Sequence, residues 1–255
     1  CWEQMTRVSV VIPALNDSPM LANCLRALAA QTRLADEIIV VDNGSTDDTA
    51  AVALAAGALV IEEPLRGIFP ATAAGFDAAS GDLLARLDAD SVPPADWLER
   101  IVTAFENDPH LAALSGPGDF YGSNAFVHWV AENLYIGGYI WFVGWLVGHA
   151  PLFGSNLALR KGTWARLRTT VHRSMREIHD DLDLAIHIEP DMPVVFDKTL
   201  RVGVSARPFQ SISGLGRRLT WAYTTLSLNS REKPFSQRRA AQRAWEREQA
   251  EEAFG

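Results

Sequence analysis

The chain of 255 residues has little cysteine, only Cys1 and Cys24. Two thiols make no disulfide framework, so the hydrophobic core must hold the fold. Cys24 lies in SPMLANCLRALAAQ, on the apolar side with Leu21, Leu25 and Leu28, and reads as a buried thiol. Basic charge is also short. Lys and Arg number 23 against 31 Asp and Glu, a net charge of −8, so global charge supports no nucleic-acid partner. No run reaches the roughly 20 apolar residues of a membrane span. The most apolar stretch, LYIGGYIWFVGWLV, contains three glycines and is soon followed by His149, Pro151 and Asn156. The start, CWEQMTRVSVVIP, lacks both an initiating Met and the charged-then-apolar order of a signal peptide. That suits a trimmed or partial chain with cytosolic exposure as the default.

The chain does have an alternation of two hydrophobic periods. Continuous apolar runs at 8–12, 37–41, 59–61 and 83–87 read as buried parallel strands. Between them lie helical patterns. One opens at Ser18-Pro19 with Ser18 as N-cap, and one is capped by Ser45 or Thr46 with Asp47 and Asp48 in its first turn. An Ala-rich helix covers 71–79, and another starts at Pro94. Strand–helix alternation with short connections predicts an α/β sheet with right-handed crossovers. Ligands then bind off the carboxyl ends of the strands, where Asp42, Asp88 and Asp90 fall. In the second half, GSNLALRKGTW reads as a strand turning into a helix, and HDDLDLAIHI as an amphipathic helix. Short strands follow at 194–196 and 200–204. After Pro234 the tail is a helix with basic residues first and acidic residues last. That order opposes the helix dipole and calls for a partner or surface to hold it.

The chemistry concentrates in LLARLDADSVPPADWL. At period two, Asp88 and Asp90 point to one side of a strand end. Two converging carboxylates repel each other, and Mg²⁺ or Mn²⁺ relieves that while diphosphate oxygens complete its shell. Solvated loop acids are the bland alternative. In Asp42-Asn43-Gly44-Ser45, Gly44 permits a tight backbone before a helix N-terminus. There Asp42 could accept hydrogen bonds from a base or ribose, although an Asx-type turn explains the neighbouring residues equally well.

Five segments, VSVVIPALND, EIIVVDNGSTDDT, LDADSVPPADWL, GSNLALRKGTW and HDDLDL, in this order and spacing, resemble a family-2 inverting glycosyltransferase of the GT-A fold. The resemblance runs over about 8–209. It implies a Rossmann-type, mixed but mostly parallel sheet flanked by helices. By the same resemblance, Pro13, Ala14 and Asn16 line the nucleotide pocket and Asp42 contacts the base. Asp88-Ala89-Asp90 matches the family's DxD segment for metal and nucleotide diphosphate. Asp181 matches the general base, beside Asp180, and Gly154, Ser155 and Asn156 match an acceptor-side segment. Arg66 could supply positive charge to the nucleotide, and Arg217 or Arg218 could stabilise the leaving group. Two positions depart from the family. Asn43 stands where a second Asp is common, and ATAAG replaces an Ala-Arg-Asn-like run. A processive synthase's Gln-x-x-Arg-Trp is also missing.

The implied activity moves a sugar from a nucleotide diphosphate sugar to a glycan or polyprenyl-linked acceptor. It needs a divalent cation and belongs to cell-envelope synthesis at the cytoplasmic side of the membrane. The implied organisation is one domain over 1–233, with a nucleotide-binding half (7–110), an acceptor half (111–233) and a charged helix at 234–255. Two other function classes compete. Asp88-Ala89-Asp90-Ser91-Val92 also resembles the first motif of haloacid-dehalogenase-type phosphatases, with Asp88 as nucleophile, but three strands precede it. A catalytically silent sugar-nucleotide-binding subunit is the other. His179 and His187, eight apart, lack the spacing of a helical zinc site, although His179 could approach the aspartate pair. Trp129, Tyr135, Tyr139, Trp141 and Trp145 suit either an aromatic acceptor wall or a membrane surface.

Overall fold

A computed structural model describes residues 5–121, 137–207 and 212–254. Its first strands follow the apolar runs. β1 (Val8–Ala14), β2 (Glu37–Asp42), β3 (Leu59–Glu62) and β4 (Leu83–Arg86) run parallel to one another. Three further strands, β5 (Ala113–Ser115), β7 (Leu157–Arg160) and β8 (Val194–Phe196), complete a sheet of order β3-β2-β1-β4-β7-β5-β8. β7 runs antiparallel to both β4 and β5, so the sheet is mixed. β6 (Gly118–Tyr121) and β9 (Val202–Ser205) pair separately in parallel.

The continuous apolar runs are explained by two covered faces. Val8, Val10 and Ile12 pack on one side with Leu21, Cys24 and Leu28 of helix α1 (Ser18–Ala29) and with Trp97 and Phe105 of α4 (Trp97–Asn107). Val11 points the other way, toward Phe69 and Phe76 of α3 (Ile68–Ala78) and Leu182 of α7 (Asp180–His187). Cys24 is buried as expected, and burial pushes its thiol pKa up.

Four helix starts differ from the sequence reading: α3 begins at Ile68 instead of 71 and α4 at Trp97 instead of Pro94, and the starts of the first two helices shift as well. Asp17, not Ser18, precedes α1, and its main-chain carbonyl accepts from Met20 and Leu21 while its carboxylate is bound elsewhere. Helix α2 (Thr49–Ala55) begins after Asp48, leaving Asp47 and Asp48 ahead of its first turn. The reason is local. Ser45 Oγ accepts the Asn16 N–H at 3.0 Å, and the Thr46 N–H donates to Asn16 Oδ1 at 2.7 Å, so both candidate caps tie one loop to another.

In the second half, α5 (Gly137–Val147) is half buried, through Val143, Leu146 and Val147, while Trp141 is 70% exposed. Trp129 and Tyr135 lie outside the described residues, as does the side chain of Tyr139. A short helix α6 (Lys161–Leu167) follows β7, and α8 (Ile212–Glu232) precedes the tail helix α9 (Phe235–Phe254). Among the described residues, no helix is long and apolar enough to cross a membrane. The tail is held by the protein itself. The Arg239 guanidinium lies 4.5 Å from the Trp145 ring centroid, and Arg238 donates to the carbonyl of Ile186 at 2.8 Å.

Candidate active site

At the carboxyl ends of β1 and β4 the sheet opens into a cavity of about 580 Å³. β4 ends at Arg86, one residue before the predicted strand end. Asp88 to Ser91 form a turn in which the Ser91 N–H donates to the Asp88 carbonyl at 3.0 Å. The two aspartates therefore face one cavity across a turn, rather than along an extended strand. Pro13, Ala89, Gly154, Ser155, Asp180 and Asp181 line the same cavity.

Its centre is Arg86, a fully buried guanidinium on an otherwise apolar strand. One terminal nitrogen lies 2.7 Å from an Asp88 carboxylate oxygen and 3.2 Å from one of Asp180. These are ion-pair contacts off the N–H axes, and the buried Nε–H has no acceptor among the described residues. Burial opposes the charge of Arg86, yet Asp180, Asp88, Asp181 and Asp90 outweigh it and raise its pKa. Gly154 is required here because a Cβ would stand 2.0 Å from the guanidinium. Asp180 also accepts from Thr72 at 3.0 Å, and burial holds its carboxyl above the ordinary range. Asp181 is oriented by main-chain donors, Gly154 N–H at 3.0 Å and Leu182 N–H at 2.8 Å. Ser155 donates to Asp88.

Asp90 belongs to a second charge group. Arg207 binds Asp17 through two bonds of 2.8 and 2.7 Å and Asp90 at 3.2 Å. Burial, then the charge of Asp88, pushes Asp90 up to about 6 despite Arg207. Asp17, Asp88, Asp90, Asp180 and Asp181 line the cavity, facing the cations of Arg86 and Arg218 in its wall. This excess of hard carboxylate oxygens is the donor set that Mg²⁺ or Mn²⁺ takes.

A second cavity of about 810 Å³ adjoins the first and shares Pro13, Leu15, Ile68 and Trp221 with it. Ala14, Asn43 and Arg66 line it. Asp42 closes an Asx-type turn, accepting the Ser45 N–H at 2.8 Å, and Gly44 follows with φ +82°. Asn43 accounts for its departure from the family pattern. Its amide donates to the carbonyls of Glu63 and Leu65 and accepts from Gly67, which a carboxylate could not do. Asn16 has φ +50° and ties two loops through its side chain. Asn156 is buried inside the fold, where it accepts from Trp97 Nε1 and donates to the Leu200 carbonyl. Its side chain faces those partners instead of an acceptor.

The histidines separate. His179 lines the first cavity, donates through Nε2 to the Arg218 carbonyl and stands 3.9 Å from Asp181. His187 instead joins His172 and Asp183, their ligand-type atoms within 4.8 Å of one another. Sequence reading passed over Arg86 and Arg207, and took Asp17 only as an acid that fits the family pattern. For Arg86 a signal was present, a cation within the apolar run LLARL, which demands buried anions. For Arg207 none was, because its partners are 190 and 117 residues away in sequence.

The sequence model of glycosyl transferase family 2 matches residues 9–173. Glycosyltransferase AglE of Haloferax volcanii is 36% identical over 126 residues, 46% of this chain and 38% of that protein. The undecaprenyl-phosphate 4-deoxy-4-formamido-L-arabinose transferase of Sodalis glossinidius is 36% identical over 115 residues, 41% of this chain and 35% of that protein. The matched region thus spans less than half the length of either relative. Among solved structures, glucosyl-3-phosphoglycerate synthase of Mycobacterium tuberculosis, with Mn²⁺, UDP and glucosyl-3-phosphoglycerate bound, has a TM-score of 0.59. It is 22% identical, and the match covers 88% of this chain and 80% of that one. S. aureus TarS 1–349 also gives 0.59, at 15% identity, covering 79% and 61%. These likenesses show the GT-A fold. With a family match over more than half its length, the chain belongs to glycosyl transferase family 2.

Proposed function

We propose that this chain transfers a sugar, with inversion, from a nucleotide diphosphate sugar to a polyprenyl-linked or glycan acceptor in cell-envelope synthesis. The observation that carries the reading is the first cavity, at the carboxyl ends of parallel strands, which five carboxylates line, two of them paired with the buried Arg86. The phosphatase reading loses its ground with membership of this family.

In this reading the second cavity takes the nucleoside against Pro13, Ala14 and Arg66, with Asn16 and Asp42 next in the chain to its lining residues Leu15 and Asn43, and the half over 7–110 binds the donor. Asp88 and Asp90 would hold Mg²⁺ or Mn²⁺, with Ala89 between them against the diphosphate. The cation supplies charge neutralisation on the departing diphosphate. Asp181 takes the proton of an acceptor hydroxyl as it attacks from the opposite face. Two main-chain N–H groups aim that carboxylate. Asp180, bound to Arg86 and Thr72, is a positioning residue. Gly154 and Ser155 sit at the acceptor side, Gly154 admitting the guanidinium and Ser155 holding Asp88. Phe142, Val143, Leu219 and Leu226 make one wall apolar, which suits the first isoprene units of a lipid-linked acceptor. With a phosphate as acceptor no base is needed, and Asp181 balances charge. The half over 111–233 then serves the acceptor and the helix over 234–255 braces it, at the cytoplasmic face of a membrane.

The test is a thermal-shift panel of UDP, GDP, ADP and TDP with and without Mn²⁺, on wild type and Asp90→Ala. Asp90 is the better position to change, since Arg207 keeps Asp17 and Arg86 keeps Asp88. A shift with one nucleotide that needs Mn²⁺ and is lost in the variant is expected. No shift at millimolar nucleotide would sink the donor reading. Binding without sugar release from the matching donor would leave a nucleotide-binding subunit.

A further inference from the structure

Away from the donor cavity, a third cavity of about 490 Å³ lies between α5 and α9. Lys198, Arg239 and Arg243 line it with Trp145 and His149, and no carboxylate does among the described residues. In this chain of net charge −8, several other arginines are matched by acids. Arg166 holds Glu189 and Asp191, Arg100 holds Asp197, and Arg207 holds Asp17 and Asp90. Lys198, Arg239 and Arg243 have no carboxylate partner among the described residues. The Arg239 guanidinium is held over the Trp145 ring, and its buried Nε–H has no acceptor. A buried donor left without a partner is unfavourable, more so when charged, so the arrangement calls for an anion. His149 adds no positive charge, because burial holds its pKa below the ordinary value.

We propose that this pocket is a second anion site, which binds a phosphate group through Lys198, Arg239 and Arg243. Guanidinium pairs suit phosphate oxygens in number and geometry. The setting fits a phosphate carried at a lipid surface, since Trp141 and Trp145 are 70% and 54% exposed on the adjoining helix, and Trp is enriched at membrane interfaces. A soluble phosphate would use the same contacts. The site goes beyond the proposed transfer reaction and stands whether or not that reaction is correct.

Two arms separate the sources. In the first, the full chain is sedimented with vesicles of phosphatidylcholine alone and of an equimolar mixture with phosphatidylglycerol. In the second, inorganic phosphate and pyrophosphate are titrated by thermal shift without divalent cation. Each arm compares wild type with Arg239→Gln/Arg243→Gln and, on a separate element, Lys198→Gln. The proposal expects binding in at least one arm, weakened roughly thirtyfold by the double change and less by the single one. Binding to mixed vesicles only assigns a lipid headgroup, and phosphate-induced stabilisation only assigns a soluble ligand. No binding in either arm, or binding equally strong in both variants, overturns the site. The nucleotide shift with Mn²⁺ reports the donor cavity independently, so failure of one reading leaves the other measurable.

Discussion

Arg86 decides most of the site's electrostatics at the level of single residues. A buried guanidinium is tolerated only with anions around it, and the two nearest, Asp88 and Asp180, come from segments far apart in sequence. The Arg86→Met change fills similar volume but strands Asp180, which is nearly as buried. We expect a loss of about 3–5 kcal/mol in unfolding free energy, read by urea denaturation. Adding Asp180→Asn to that variant should recover a large part of the loss, because a neutral amide no longer needs the cation. If the double variant is no more stable than Arg86→Met alone, the pair is not the coupling claimed here. Residues of this kind were only partly legible in the chain. Asp88, Asp90, Asp180 and Asp181 stood out because carboxylates follow apolar runs or open a helix. Asn16 and Asn156 stood out only through the family resemblance, and their side chains brace loops and strands. Short motifs do not distinguish a polar group that faces a ligand from one that faces the backbone.

At the scale of elements, the helix that carries Asp180 and Asp181 is clamped at its far side. His172 bonds Asp183 of α7 and Glu232 at the end of α8, both at 2.9 Å, and Asn229 of α8 also donates to Asp183. Hydrogen bonding to Asp183 raises the His172 pKa to about 9, against burial and with help from Glu232. A histidine raised in the folded state stabilises fully below its unfolded pKa of about 6.5. That stabilisation disappears as pH rises through about 9. With Glu232 half exposed, screening limits the effect to on the order of 2 kcal/mol. Wild type should therefore lose stability between pH 7 and 9, and His172→Gln should flatten that slope, as measured by urea midpoints across the range. An unchanged slope in the variant would remove His172 from the clamp. The parallel strands were legible from their apolar runs because both faces of the sheet are covered. The exact starts of α1 and α2 were not, since their would-be caps answer to groups on neighbouring loops.

The whole molecule joins the sheet edge proposed to bind the donor to a helical flank that includes the tail helix. Its basic start lies against α5 and α7 through Arg239 and Arg238, so the unfavourable dipole order predicted from its sequence is offset by contacts within the chain. Phe235 packs on the buried cluster that includes Val143, Val147 and Leu182. Ending the chain at Lys233 removes part of one aromatic burial and the bond to Ile186, together about 2–3 kcal/mol. For a domain of this size that lowers Tm by roughly 5–10 °C. None of the residues placed around the nucleotide and the aspartates belongs to the tail. The shortened chain should therefore keep the Mn²⁺-dependent nucleotide shift of wild type while losing binding to mixed phosphatidylglycerol vesicles or to phosphate, because Arg239 and Arg243 go with the tail. A folded, shortened chain that no longer responds to nucleotide would mean that the tail helps shape the donor site. The two anion sites would then have to be treated as one coupled surface.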